Sequence, residues 1–227
     1  MFKRLFSLKS TKIKVIGVGG GGNNIVNHLA DCELEGLSLI ACDLDATTLS
    51  RSKASVTLQL GSSGLGAGSI VGEAQSVAQQ NVGRISKLFA SNTDLLFVIS
   101  CLGGGCGSGV TPIIAHEAKK MEITTIGVFT IPFQFEGEGK MRQALETVKK
   151  LSNETDAIFL FNNQYIMRQC RDLPLDLAFA NIDELMSGVI AYITQFMSMQ
   201  VKCKEVKKMS LSRKLKTFFS SFGRKRK

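Results

Sequence analysis

Short apolar runs separated by longer stretches of mixed polarity set the rhythm of this chain. Five runs stand out: "KIKVIGV" (12–18), "LSLIACD" (37–43), "LLFVIS" (95–100), "TTIGVFT" (124–130) and "DAIFLFN" (156–162). Each is nearly continuous rather than alternating, the pattern of strands buried on both faces. Between them, residues 22–35, 70–90, 110–121 and 138–152 repeat their apolar positions with helical period. In the last of these, Met141, Ala144, Leu145, Val148 and Leu151 fall on one face, which is predicted to be buried. A longer apolar helix is predicted from about Leu175 to Met199, in which Met186, Met197 and Met199 read as core filler. The alternation predicts βαβ units and an α/β fold, a doubly wound, mostly parallel sheet ending in a long helix. Ligands of such sheets sit beyond the carboxyl ends of the strands, so the loops after each strand are where chemistry is expected.

Those loops are where many of the 22 glycines gather. The first run ends in "GVGGGGNN", where Gly17, Gly19 and Gly22 satisfy G-x-G-x-x-G between a strand and a helix. Bare backbone there lets N–H groups approach a pyrophosphate at the helix N-terminus. Asp43, with Asp45, closes the second run, about 20 residues on, where a dinucleotide fold holds a ribose hydroxyl. Taken alone, this describes a Rossmann-type NAD site, and an NAD-dependent oxidoreductase is one reading of the chain. A second bare loop, "LGGGCGSG" (102–109), is left over by that reading. It follows the run at 95–100 and precedes "VTPIIAHEAKK", which opens a helix with Pro112 near its first turn. A third cluster, "GSSGLGAGS" (61–69), follows "SVTLQL". Three loops without side chains at one sheet edge can wrap three phosphates with backbone N–H donors. None ends in the Gly-Lys-[Ser/Thr] of a P-loop. The chain also offers no His, Tyr-Lys or Cys constellation for hydride chemistry. His28 and His116 are far apart and read as packing residues, and nothing beside the Cys106 thiol supplies a base.

Charge divides the chain in three. The formal net charge is +9, but residues 201–227 hold eleven Lys and Arg against one acid, Glu205, and residues 1–14 hold five positives and no acid. The stretch between is mildly acidic, so the basic character belongs to the two ends. In "LSRKLKTFFSSFGRKRK", Leu211, Leu215, Phe218, Phe219 and Phe222 fall on one face of a helix. Arg213, Lys214 and Lys216 flank that face, with Lys207, Lys208 and Arg224–Lys227 beyond it. Basic residues around a Leu/Phe face describe a helix lying in an anionic membrane surface, with a partner-protein helix or a solvated arm as the other readings. A nucleic-acid partner is disfavoured, because phosphate neutralisation has no use for three Phe on one face. "MFKRLF" at the start reads as a weaker second foot. No run approaches the ~18 residues of a membrane span, and residues 1–10 lack the apolar region of a secretory signal. Six scattered cysteines without a CxxC pair point to a reducing cytosol and no structural metal. The expected organisation is a basic extension (1–11), a nucleotide-binding domain (12–200) and a basic amphipathic tail (201–227), cytoplasmic and peripheral to the inner face of a membrane.

The glycine loop "GGGCGSG" resembles the tubulin/FtsZ signature G-G-G-[ST]-G-[ST]-G, with Cys106 where a hydroxyl residue is usual. Further segments resemble that superfamily in the correct order. "IKVIGVGGGGNN" is similar to its first nucleotide loop and "ACDLDATTL" to its second, usually written with Asn-Thr-Asp. "GLGAGS" is similar to the loop near the γ-phosphate, "IPFQFEGEGKMR" to the P-F-x-F-E-G segment, "LFNNQYI" to the following Asn-bearing loop and "LAFANIDELMSGV" to the start of the central helix. The resemblance covers about residues 13–195. It implies a Rossmann-like nucleotide-binding domain that takes GTP or GDP, with Mg2+ as the accompanying ion, in a protein that forms homo-oligomers or filaments.

Position by position, the resemblance implies that the loop of Gly19, Gly20, Gly21 and Gly22 contacts the diphosphate. Asn24 or Asn23 would reach the guanine edge. Gly66, Ala67 and Gly68 would offer N–H groups to the γ-phosphate. The loop Gly103, Gly104, Gly105, Cys106, Gly107, Ser108 and Gly109 would wrap the α- and β-phosphates, assisted by the Ser108 hydroxyl. Glu136 would hold ribose hydroxyls, and Lys140 stands where the superfamily has Arg, keeping charge but losing the fork geometry. Asn162 would touch the sugar or base, Phe179 would stack on guanine, and Asp183 or Glu184 would accept from its N1 and N2 hydrogens. The carboxylate motif by which such proteins complete GTP hydrolysis in a neighbouring subunit has no counterpart after Glu184. The resemblance therefore implies nucleotide binding and leaves turnover open. Two functional readings remain beside the oxidoreductase: a cytoskeletal scaffold assembling on membrane, and a non-polymerising GTP-bound regulator of a full-length FtsZ-like partner.

Overall fold

The computed structural model describes residues 12–89, 93–169, 174, 177 and 179–197. Its strands are β1 (Ile13–Val18), β2 (Leu37–Asp43), β3 (Val56–Gln59), β4 (Leu95–Cys101), β5 (Thr124–Ile131) and β6 (Ala157–Asn162). The named helices are α1 (Gly19–Asp31), α2 (Ala46–Ser50), α3 (Val71–Gln80), α4 (Val82–Phe89), α5 (Gly105–Lys120), α6 (Glu138–Leu151) and α7 (Asn163–Gln169), with a 3-10 turn at Gln134–Glu136. The strands form one sheet in the order β3-β2-β1-β4-β5-β6. Every neighbouring pair is parallel, and Ile13 is in register with Leu37 on one side and Leu95 on the other. Strand order reverses between β1 and β4, the place where sheets of this kind bind ligands.

Strand alternation divides the sheet into two buried faces. Ile16, Val18, Ile40, Cys42, Leu96, Val98, Phe129 and Ile131 pack into one core with α3, α4, α5 and α6. Gly17 lies against Val26 of α1, so the alternate residues Val15, Phe97 and Val128 line the opposite face. Ile25, Val26 and Leu29 of α1, which packs on β1, β2 and β4, are buried as well, as are Ile182, Met186 and Ile190 of the helical residues 179–191. β1 and β4 are buried along nearly their whole length, as continuous apolar runs demand.

Two compact units divide the chain. Lys12–Ala191 holds the whole sheet and its helices. In the second, Met1–Thr11 with Tyr192–Lys227, only residues 192–197 are described, and they are helical. The amphipathic face at Leu211, Leu215, Phe218, Phe219 and Phe222, its flanking Arg213, Lys214 and Lys216, and Met199 lie outside the described residues.

Helix boundaries differ from the sequence expectation in instructive ways. The helices expected from residues 22 and 110 begin at Gly19 and Gly105, inside the glycine loops. Pro112 consequently sits within α5 rather than near its first turn. The single helix expected over 70–90 is two, parted at Asn81, whose side-chain amide donates to the Val77 carbonyl and competes with the helix ladder. Leu145, expected on the buried face of α6, is 50% exposed, while Ala144 and Leu151 are fully buried. The segment "SVTLQL" contributes β3, and α2 and α7 are short helices that the periodicity does not show.

Candidate functional site

Two helices end at the sheet's carboxyl edge with their N-termini uncovered. The N-cap of α1 is Val18 and that of α5 is Gly104; neither makes a side-chain capping bond, and neither helix has an acid in its first turn. The first-turn N–H groups of both therefore lack the side-chain acceptor that usually satisfies them. Close packing fixes the approach. A Cβ at Gly17 would lie 2.4 Å from the Gly22 carbonyl oxygen, and one at Gly107 would lie 2.4 Å from that of Cys101. Both helices are thus drawn onto the sheet by backbone contact that any side chain would block. At Gly20 and Gly104 an added Cβ would meet nothing, so these two glycines leave open space where the others fill it.

That space is a cleft of about 530 Å3, in the range of small-molecule and cofactor sites. Its backbone rim includes Gly19, Gly20 and Gly21 from α1, Ala67 and Ser69 from the 61–70 loop, and Gly104, Gly105, Cys106 and Gly107 at the start of α5. Asp43 and Asp45 reach it from the end of β2, Glu136 from the turn after β5 and Lys140 from the first turn of α6. Asn24, Phe179, Ile182 and Asp183 also line the cleft. The Phe179 ring stands edge-on to Phe133 at 5.1 Å between centroids, and Phe133 in turn stacks on Phe135. Phe179 is therefore braced rather than free.

The segment after β2 and the 61–69 loop are tied together. Asp45 pairs as an isolated bridge with Leu65, and the Ala46 N–H donates to the Gly64 carbonyl at 3.1 Å. The Asp45 carboxylate caps α2 by accepting from the Thr47 N–H at 2.8 Å, which holds its pKa below the usual value. Asp43 is buried and accepts from the N–H groups of Leu44 and Asp45 at 2.7 and 3.3 Å. Burial nevertheless raises its pKa, with the backbone donors opposing. Desolvation also pushes up the thiols of Cys101, to about 11, and of Cys106, well above the ordinary value. Neither is a thiolate near neutral pH, so nucleophilic chemistry at Cys106 has no support. Burial raises the Asp183 carboxyl to about 6, with His28 pulling the other way.

Several residues singled out in the sequence lie behind the cleft. Gly22 is packed under α1 against the Ile99 carbonyl. Asn23 is buried and donates to the Cys42 carbonyl and Asp43 at 3.4 Å each, so Asn24 is the asparagine of that pair that lines the cleft. The Ser108 hydroxyl accepts from the Gly103 N–H at 2.8 Å and braces the loop from inside. A Cβ at Gly109 would meet α3. Gly66 and Gly68 flank Ala67 without lining the cleft themselves. The Asn162 side chain caps α7, accepting from Gln164 and Tyr165 N–H groups. Asn163, its neighbour, lines the cleft instead, with its Oδ1 buried and lacking a hydrogen-bond partner among the described residues. Asp183 lines the cleft and Glu184 does not. Thr48, Ser69, Thr130 and Pro132 complete the walls. A doubled Asn (162–163) carried the only sequence signal for any of the added residues.

Backbone donors at two helix N-termini, one lysine, and a braced aromatic beside a carboxylate suit a ligand that is anionic at one end and flat and polar at the other. The orphaned Asn163 oxygen and the open space at Gly20 and Gly104 fit a ligand of that kind. A doubly wound parallel sheet with this cleft at its switch point defines a nucleotide-binding α/β domain. Residues 12–171 match the Tubulin/FtsZ family, GTPase domain. The cell division protein FtsZ of Aquifex aeolicus is 39% identical over 187 residues, which cover 81% of this chain and 51% of that protein. Mitochondrial division protein fszB of Dictyostelium discoideum is 36% identical over 193 residues, covering 82% and 52%. Among solved structures, the empty FtsZ dimer of M. jannaschii superposes with a TM-score of 0.79 at 30% identity, over 86% of this chain and 58% of that one. The chain belongs to the tubulin/FtsZ family. It spans about half the length of the FtsZ proteins it matches.

Proposed function

We propose that this chain binds a guanine nucleotide in the cleft and serves as an FtsZ-like cytoskeletal subunit that assembles on an anionic membrane surface. The observation that carries the reading is the pair of uncapped helix N-termini, α1 and α5, converging on one cleft with Phe179 and Asp183 among its walls. Backbone N–H groups of Gly19–Gly21 and Gly104–Gly107 receive the phosphates, and Lys140 adds the one cationic side chain among the described lining residues. Lys140 is itself held by Glu136 at 3.2 Å, which leaves Glu136 Oε1 bonded to the Phe133 N–H and fixes the carboxylate for a sugar hydroxyl. Phe179 offers a ring face for the purine. Asp183, once ionised, accepts two hydrogens from the guanine edge, a pairing adenine lacks. Mg2+ bound with the phosphates would supply charge neutralisation, and the cleft carboxylates Asp43 and Asp45 would hold it or its waters.

Assembly is supported by the apolar rim. Leu65, 87% exposed, and the half-exposed Ile70 project from the loop whose Ala67 lines the cleft, so a subunit seated there would sense the occupied phosphate site. Attachment to membrane rests on the Leu/Phe face and basic residues of 207–227. The deciding experiment is to denature the purified protein and identify the released small molecule by ion-exchange chromatography. GDP or GTP is expected. NAD, or no nucleotide together with no GTP binding on titration, overturns the reading. Sedimentation with anionic liposomes, with and without GTP, tests assembly; a chain that pellets in neither condition refutes it.

A further inference from the structure

The two edges of the sheet are unlike. β3 at one edge is four residues long, half polar, and preceded by Lys53 and Ser55. Short and polar edges of this kind resist strand addition. β6 at the other edge is six residues, "AIFLFN", with no charge and no proline. It pairs with β5 alone among the described residues. Phe159 is 38% exposed and Leu160 44% exposed, although successive residues of a strand face opposite sides. Both flanks of this edge are therefore apolar and partly uncovered. None of the devices that keep an edge from pairing is present in it.

We infer that β6 is a homodimer interface, at which β6 of a second copy adds antiparallel to continue the sheet across a two-fold axis. Three features select a second copy. The outward backbone N–H and C=O groups of β6 join no ladder among the described residues and offer a template for a further strand. The strand is uncharged, so two copies meet without like-charge repulsion. The opposite edge is too short and polar to serve as a head-to-tail partner, which leaves the isologous arrangement and its closed two-fold.

The register follows from the side chains. Ile158 packs against the α3–α6 core, so Leu160 shares that face and Phe159 and Phe161 share the other. A two-fold axis normal to the sheet keeps each face on its own side and places a residue opposite one of the same parity. Centred on Leu160, it sets Leu160 against its own copy and Phe159 against Phe161 twice. Aromatic cross-strand pairs are among the more stabilising ones in sheets. Asp156, beyond the strand's start, is occupied in accepting from the Thr125 N–H at 2.8 Å and opposes the neutral Gln164 in this register. Asn163, which lines the cleft, opposes Ala157 in the same register, so the contact borders the cleft at that one residue.

The test uses the full chain without added nucleotide, by sedimentation equilibrium across a dilution series. A species of twice 24.6 kDa is expected, with Leu160→Asp halving the mass and Leu145→Asp, an exposed site on α6, leaving it unchanged. Circular dichroism checks that Leu160→Asp is folded. Leu160→Cys, oxidised beside the unaltered chain, should gain a disulfide-linked dimer, because residues opposite one another lie within disulfide reach. Phe159→Cys, whose copies are not opposite, should gain none. A monomer at every concentration with no cross-link at 160 overturns the interface, whether the edge is bare or covered by another part of the protein. A dimer that survives Leu160→Asp overturns it as well.

Discussion

Gly20→Ala separates the ligand cradle from the fold more cleanly than any other change. Gly20 occupies the first turn of α1, has no left-handed backbone requirement, and its added Cβ would meet nothing within 4 Å. Alanine there should stabilise the nucleotide-free protein, because it is the better helix former and restricts the unfolded chain, by about 0.4–1 kcal/mol. For a body of this size that is a rise in Tm of about 1–4 °C. The same methyl occupies the space in which a diphosphate must approach the N–H groups. Losing one or two charge-assisted hydrogen bonds costs about 1.5–3 kcal/mol, or roughly 10- to 100-fold in Kd. Titration of nucleotide-stripped protein with a fluorescent GDP analogue, beside a thermal melt, reads both quantities. Gly107→Ala is the contrasting control: its Cβ would meet the Cys101 carbonyl at 2.4 Å, so it should lower Tm. If Gly20→Ala leaves GDP affinity unchanged while Tm rises, the phosphates do not lie against α1 and the cradle reading fails.

Other expectations follow from the same geometry. Asp183, raised to about 6 by burial, must be ionised to accept from guanine, so GDP affinity should fall about tenfold per unit as pH drops below 6. Asp183→Asn should bind weakly and show no such slope. Because this carboxyl holds its proton more tightly folded than unfolded, stability of the nucleotide-free protein should decline as pH rises from about 4 through 6. A pH-independent melting midpoint in that window would contradict the burial of Asp183. Deleting residues 207–227 should release the protein from anionic liposomes in a co-sedimentation assay while GDP affinity holds; undiminished pelleting would refute the membrane role of the tail. On α6, Leu145→Lys should change unfolding free energy by no more than about 0.5 kcal/mol in a urea titration, whereas Leu151→Ala should cost about 2–5 kcal/mol.

The central strands β1 and β4 were readable because burial on both faces leaves a mark that needs no partner to interpret; β6, equally apolar in sequence and expected to be buried, is uncovered at Phe159 and Leu160 because it is an edge strand. "LLFVIS" is apolar at every position but its last, and β4 is buried throughout except at its final residue. The loops at the cleft were readable as glycine clusters for a related reason: backbone that must approach backbone, as at Gly17 and Gly22, tolerates no side chain. Helix starts were not readable. Glycine is a poor helix former, so "GGGGNN" and "GCGSG" look like loops, yet each opens a long helix whose first turn packs closely against its neighbours. The break at Asn81 depends on one side-chain hydrogen bond, and Leu145 lies at the margin of the α6 face that buries Ala144, Thr147 and Leu151. Neither leaves a periodic trace. Asn162 and Asn163 differ only in the turn of the strand's end, one capping α7 and the other facing the cleft. Chemistry common to both residues could not distinguish them.

The missing caps of α1 and α5 also bear on how long the molecule survives. A helix that ends without an acceptor for its leading N–H groups is incomplete as a piece of structure, and here two such ends meet in one place. Whatever anion settles between them finishes both helices at once and becomes, in effect, a structural residue that the chain does not encode. Ligand at a thousandfold excess over its Kd adds about 4 kcal/mol to folding stability, a sizeable fraction of what a domain ordinarily possesses. Abundance of the protein in a cell would then track the supply of that small molecule, with chains made during scarcity lost first to proteolysis.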